Sequence, residues 1–177
     1  DAGSDWVQTS GTWGITTNRG YKSASDGTYQ VCDLEASSYQ VDVQATLASR
    51  GAGSVGGVVT RLADNNNYIM AFCGDSFILF KKVAGSFTQI GSTYSAGAAT
   101  NDVVKLTANA SNNLEVFVNG VSRITGTDAA GATNTRHGLM VHTNTFYFDD
   151  FSITDNAGGG GGATPKGWFG KALHGPM

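Results

Sequence analysis

The stretch Gly57-Val58-Val59-Thr60-Arg61-Leu62-Ala63-Asp64-Asn65-Asn66-Asn67-Tyr68-Ile69-Met70-Ala71-Phe72 decides how this chain is read. Two β-rich runs flank the four polar residues 64–67. Asp and Asn favour turns because their side chains bond nearby backbone groups, so the segment predicts a β-hairpin. The same alternation of short apolar runs and polar turns continues on both sides, and almost no stretch shows helical spacing of apolar residues. The chain reads as all-β.

Toward the N-terminus, Tyr39-Gln40-Val41-Asp42-Val43-Gln44-Ala45-Thr46-Leu47 places apolar residues at odd positions and polar ones at even positions. Successive side chains of a strand point to opposite faces, so one face packs inward and the other meets water. Further strands are predicted at 12–17, 28–34, 54–61, 68–73, 76–82, 86–94, 103–109, 114–118, 137–142 and 146–153. Tight turns are expected at Cys73-Gly74-Asp75-Ser76, Val83-Ala84-Gly85-Ser86 and Val118-Asn119-Gly120-Val121. Asn-Gly is the strongest of these signals, because both residues accept positive φ at small steric cost. Strands at this spacing suit a sandwich.

Charged residues make up only 14% of the 177, while Gly alone contributes 25. A polar but weakly charged surface suits an extracellular or virion-surface β protein. Disorder is excluded by the 40% apolar content. Eleven basic and 14 acidic residues leave a net charge of −3, so no basic face is implied and nucleic acid is not an expected partner. No apolar run approaches the ~20 residues of a membrane-spanning helix. A start at Asp1 without Met reads as a processed or truncated product. Cys32 and Cys73 both fall in predicted strands; they form either one disulfide or two buried thiols, and spacing leaves both open.

The β pattern ends near Asp155, which bounds a sandwich domain at 1–155. A linker at 156–163 contains five consecutive glycines, 158–162, and acts as a flexible tether. Beyond it, in the peptide 164–177, stand Trp168, Phe169 and Leu173, apolar residues in a segment too short to bury them alone. They are expected either to dock on a partner subunit of an assembly or to belong to a disordered end.

Several segments, taken together, resemble the concanavalin A-like (laminin-G-like) jelly-roll domains. They are Asp5-Trp6 with Ser10-Gly11-Thr12-Trp13-Gly14-Ile15, then Gly57 to Asp64 with Asn67-Tyr68, then Leu114-Glu115-Val116-Phe117-Val118-Asn119-Gly120, Arg136-His137-Gly138-Leu139 and Phe148-Asp149-Asp150-Phe151-Ser152-Ile153. They cover roughly 5–154 in the family's order. The resemblance implies a two-sheet antiparallel jelly-roll sandwich, one sheet concave, with an extended C-terminal tail. Only Asp1 to Ser4 precede the Asp5-Trp6 pair, which implies a shortened first strand. Such domains occur in glycan-binding modules and in phage surface proteins, and the fold does not decide between them.

The same fold hosts glucanases, whose acids lie on one strand as Glu-x-Asp-x-x-Glu. This chain has two glutamates, Glu35 and Glu115, in no such pattern, and Asp33 with Glu35 reads as a surface pair. His137, His142 and His174 accompany no nucleophile-elbow serine. The resemblance implies a possible structural calcium at Asp149 and Asp150. Alternation sends their side chains to opposite faces, so they supply only part of the six to eight oxygens calcium takes. Arg61, Asn67 and Tyr68 are either structural or a weak glycan platform. The expected function is non-enzymatic: a surface-displayed structural or adhesion module of a virion (capsid decoration or tail) or extracellular assembly. The alternatives are a carbohydrate-binding module of a secreted enzyme and a diverged glycoside hydrolase.

Overall fold

The odd residues Val41, Val43, Ala45 and Leu47 are wholly buried while their even neighbours are part-exposed, as strict alternation requires. They belong to one of thirteen strands in a computed structural model that describes residues 6–17, 19–23 and 28–156. The strands are β1 (Trp13–Thr16), β2 (Arg19–Lys22), β3 (Gln30–Glu35), β4 (Val41–Arg50), β5 (Gly56–Asp64), β6 (Asn67–Cys73) and β7 (Phe77–Val83). They continue with β8 (Ser86–Tyr94), β9 (Val103–Ala108), β10 (Asn113–Val118), β11 (Val121–Thr127), β12 (Arg136–Val141) and β13 (Phe146–Asp155). No helix occurs among the described residues.

Seven strands form one antiparallel sheet in the order β1-β2-β13-β4-β9-β10-β11, and six form the other, β3-β12-β5-β6-β7-β8. Between them lies a core that includes Cys32, Leu47, Val58, Leu79, Leu106, Leu139 and Phe148. The all-β jelly-roll sandwich expected from the sequence is the observed fold. The hairpin at 64–67 joins β5 to β6, and the Asn119-Gly120 turn joins β10 to β11 with φ of 52° and 77°. Strands β2 and β11 were not anticipated: both sit in polar, Gly- or Ser/Thr-bearing sequence with little apolar alternation, and their partners in the sheet make them strands.

Three points go beyond or against the sequence reading. First, Cys32 and Cys73 are free buried thiols, one of the two states left open above. Cys32 lies opposite Leu139, Leu139 opposite Val58 and Val58 opposite Ala71, so three strand spacings separate the cysteines. At ~4.8 Å each that is roughly 14 Å, twice what a disulfide spans. Second, Asp149 and Asp150 do not point to opposite faces of a regular strand. Phe146 and Phe148 are buried, then Phe151 and Ile153, so the phase of burial shifts by one residue. Asp150, at φ 48°, is the extra residue of a bulge, and both acids stay on the solvent side. Asp149 Oδ1 accepts the Asp150 N–H at 2.9 Å.

Third, Arg61 interrupts the regular alternation of β5. The pairing of β5 slips on both sides here, and Arg61 takes φ 54°. Its side chain is fully buried at one end of the sandwich, where Nη1 and Nη2 donate to Asp128 O (2.9 Å) and Asn109 O (3.3 Å). The guanidinium lies 5.2 Å from the Tyr39 ring. Arg61 ties the two loops of one sheet to a strand of the other.

Candidate functional site

The six-stranded sheet is apolar on both faces. Residues of the other parity from its core-facing ones, including Val31, Val59, Met70 and Met140, form a second cluster on its outer face, with Tyr29, Phe72 and Phe80 packed against it. Both parities of Gln30–Glu35 and Arg136–Val141 are buried, as in strands covered on both faces, although each run carries polar residues.

Curvature turns this face into a site. Tyr29 enters at the β3 edge, and Phe87 stands on β8 at the opposite edge. Six flat strands would hold them roughly 24 Å apart, yet their ring centroids are 5.2 Å apart, edge to face. The sheet therefore curls until its two margins meet above the outer face, which is concave. Phe87 also lies edge-on to Phe80 at 5.8 Å, and Tyr29 packs on His142 at 4.7 Å. Beneath this arch opens a hollow of ≈ 200 Å³ lined by Tyr29, Met70, Phe72, Ile78, Phe80 and Phe87.

Polar groups gather beyond the arch. Lys82, on β7 opposite Phe87, donates from Nζ to Asn65 O at 2.7 Å, and its ammonium lies over the rings of Tyr68 (5.4 Å) and Phe87 (5.2 Å). Burial lowers its pKa, with Asp64 acting in the opposite direction. Tyr68 is 2% exposed and its buried hydroxyl has no hydrogen-bond partner. Burial, with a smaller contribution from Tyr29, raises the Tyr68 pKa. A segment before β1 covers this end: Ser10 Oγ accepts the Val31 N–H at 2.9 Å and donates to Asn65 Oδ1 at 2.9 Å.

Next to this cover, Arg136 clamps Asp33 through Nε (2.7 Å) and Nη2 (2.9 Å), and the Thr9 hydroxyl adds a third bond at 2.7 Å. Asp33 is fully buried; burial raises its pKa, outweighing these donors. Glu35, two residues along, accepts from Thr135 at the exposed end of β3. An acid locked by a bidentate arginine and an acid at a strand end do not form an open acid–base pair.

The residues singled out for a glycan platform do not come together. Arg61 is a buried tie, and Asn67 locks its own turn by donating to both Asp64 oxygens (2.9 and 3.0 Å) and accepting the Ala84 N–H. Tyr68 alone belongs to the face described above. His137 is buried between Thr60 and Ser38, and the His142 ring packs tilted against Tyr29. Among the described residues, no group of three or more His, Cys, Asp or Glu is placed to hold a metal. His174 and the expected docking residues Trp168, Phe169 and Leu173 lie outside the described residues. Sequence reasoning missed Tyr29, Phe72, Phe80, Lys82 and Phe87. The available signal was the even-numbered series Met70, Phe72, Ile78 and Phe80, apolar where a strand with one solvated face would be polar.

No family model matches the sequence, and no curated protein matches it. Solved structures do. The carbohydrate-binding module CBM66 from Bacillus subtilis is similar over 84% of this chain and 94% of its own, with TM-score 0.68 and 20% identity. The Bacillus licheniformis β-glucanase shares 10% identity over 78% of each chain, TM-score 0.56. The Emp47p carbohydrate recognition domain shares 10% identity over 81% of this chain and 84% of its own, TM-score 0.55. Binding modules and an enzyme both occur in this set, and likenesses at such identities speak for architecture. The two facing antiparallel sheets, one curled over an apolar hollow, are those of a concanavalin A-like jelly roll.

Proposed function

We propose that this chain is a non-catalytic carbohydrate-binding module that takes its glycan on the concave face. The observation that carries the reading is the hollow of ≈ 200 Å³ walled by Tyr29, Phe72, Phe80 and Phe87, with Lys82 and Tyr68 at its end. A sugar ring presents an apolar face suited to aromatic walls and hydroxyls suited to polar groups at the margin. The similar structures include a carbohydrate-binding module and a carbohydrate recognition domain, which supports the same reading. Catalysis is not part of it, because Asp33 is held by Arg136 and Thr9. An extracellular setting accords with that role.

Titration calorimetry against a panel of oligosaccharides tests this. The expected result is saturable binding of at least one glycan, weakened about tenfold or more by Phe87→Ala with the melting temperature retained. Absence of binding across the panel, or binding indifferent to Phe87→Ala and to Tyr29→Ala, would refute it. The assembly role expected from Trp168, Phe169 and Leu173 is a separate reading; an unchanged oligomeric state after deletion of 158–177 would end it.

A further inference from the structure

Lys82 is a buried cation with no carboxylate in salt-bridge contact, Asp64 acting on it only from a greater distance. It is 8% exposed, it donates one hydrogen bond, to the Asn65 carbonyl, and its ammonium otherwise lies over the rings of Tyr68 and Phe87. No carboxylate among the described residues lies within ion-pair distance of it, although Arg136, Lys81, Lys105 and Arg50 each have one. Lysine is almost never buried unpaired, because its ammonium forfeits water without gaining a counter-charge. The Tyr68 hydroxyl beside it, buried and without a partner, is a second unmet polar group. Both stand where the aromatic hollow meets the cover formed by Ser10 and Asn65.

We infer that the ligand is an acidic sugar, a pyranose bearing a carboxylate. Its ring lies against Phe87 and Tyr29, and its carboxylate pairs with Lys82 Nζ and accepts the Tyr68 hydroxyl. This rests on the glycan reading above and adds the chemical class. The hollow accounts for the apolar ring face, and the unneutralised ammonium accounts for the anion. Phe87, at 37% exposure the most open ring of the cluster, is the side chain that turns to admit it.

The test is calorimetry on the full chain with oligosaccharides ending in glucuronic, galacturonic or sialic acid, each beside its neutral counterpart. At least one acid is expected to bind tighter than its neutral partner. Lys82→Met should reduce that affinity on the order of ten- to a hundredfold, the loss of one charge-assisted contact, and should cost the neutral counterpart less. Tyr68→Phe should cost less. On the unaltered chain, affinity for the acid should fall as salt rises while that for the neutral sugar holds. If Lys82→Met does not fold, this salt series decides alone. Equal affinity for acid and neutral sugar, or an acid affinity indifferent to Lys82→Met or to salt, overturns the inference and leaves the glycan reading standing. No binding of either kind by the unaltered chain overturns both.

Discussion

Acidification should unfold this protein through His137, and the size of the effect follows from its surroundings. His137 is fully buried. Its Nε2 lies 2.9 Å from Ser38 O, which can only accept, so Nε2 carries the proton. Nδ1 then accepts from the Thr60 hydroxyl (2.9 Å) and the Arg61 N–H (3.3 Å). A second proton on Nδ1 would face the Arg61 N–H in a fully buried site. Burial, chiefly, and the Arg61 charge lower the pKa from 6.5 to about 4, against the Ser38 bond and the charges of Asp155 and Glu35. Between those two values the unfolded chain binds a proton that the folded chain refuses, so stability falls as pH drops from 6.5 toward 4 and levels off below. At about 1.4 kcal/mol per pH unit the loss is about 3 kcal/mol. Asp33, with its raised pKa, contributes in the opposite direction as pH rises above the ordinary carboxylate value, so a difference measurement is needed. Urea unfolding of the wild-type chain and of His137→Gln from pH 4 to pH 8 isolates the imidazole. The wild type should lose about 3 kcal/mol more than the variant over that range. Parallel curves, or an NMR titration of His137 near 6.5, would refute the reasoning.

Other outcomes follow from packing. Gly57→Ala should unfold the chain or cost several kcal/mol, on the order of 3 or more, because a Cβ there would lie 2.2 Å from the Ala71 carbonyl oxygen, a backbone atom of the adjacent strand; thermal melting reads it. Arg61→Ala should cost roughly 2–4 kcal/mol in urea unfolding, since it strips Asp128 O and Asn109 O of their donors and opens a cavity under Tyr39. Cys32 and Cys73, whose burial raises both thiol pKa values, should be unreactive to an aromatic disulfide reagent in the native state and titrate as two thiols in denaturant, with the melting temperature indifferent to reductant.

The strands were legible because period-two alternation and turn chemistry are local properties. Tyr39 to Leu47 announces a half-buried strand, and Asn119-Gly120 announces the hairpin that follows β10. The bulges at Arg61 and Asp150 were not legible, since a bulge answers the pairing of the neighbouring strand and neither residue is a glycine. The candidate site was legible only through Tyr68; its companions come from strands whose neighbours the sequence does not name.

Alternation along each segment, with the turn residues between, thus determined an all-β sandwich and its turns, because side-chain direction depends only on position along a strand. That Asp33 is buried under Arg136, where the sequence placed it in a surface pair, came from the structure. Tertiary structure decided the site. Tyr29 and Phe87 stand on opposite margins of one sheet, 58 residues apart in sequence, and only the summed twist and curl of six strands brings their rings to 5.2 Å. Lys82 likewise is an ordinary lysine in the sequence; the curled sheet and the Ser10–Asn65 cover make it a buried charge with no carboxylate in contact.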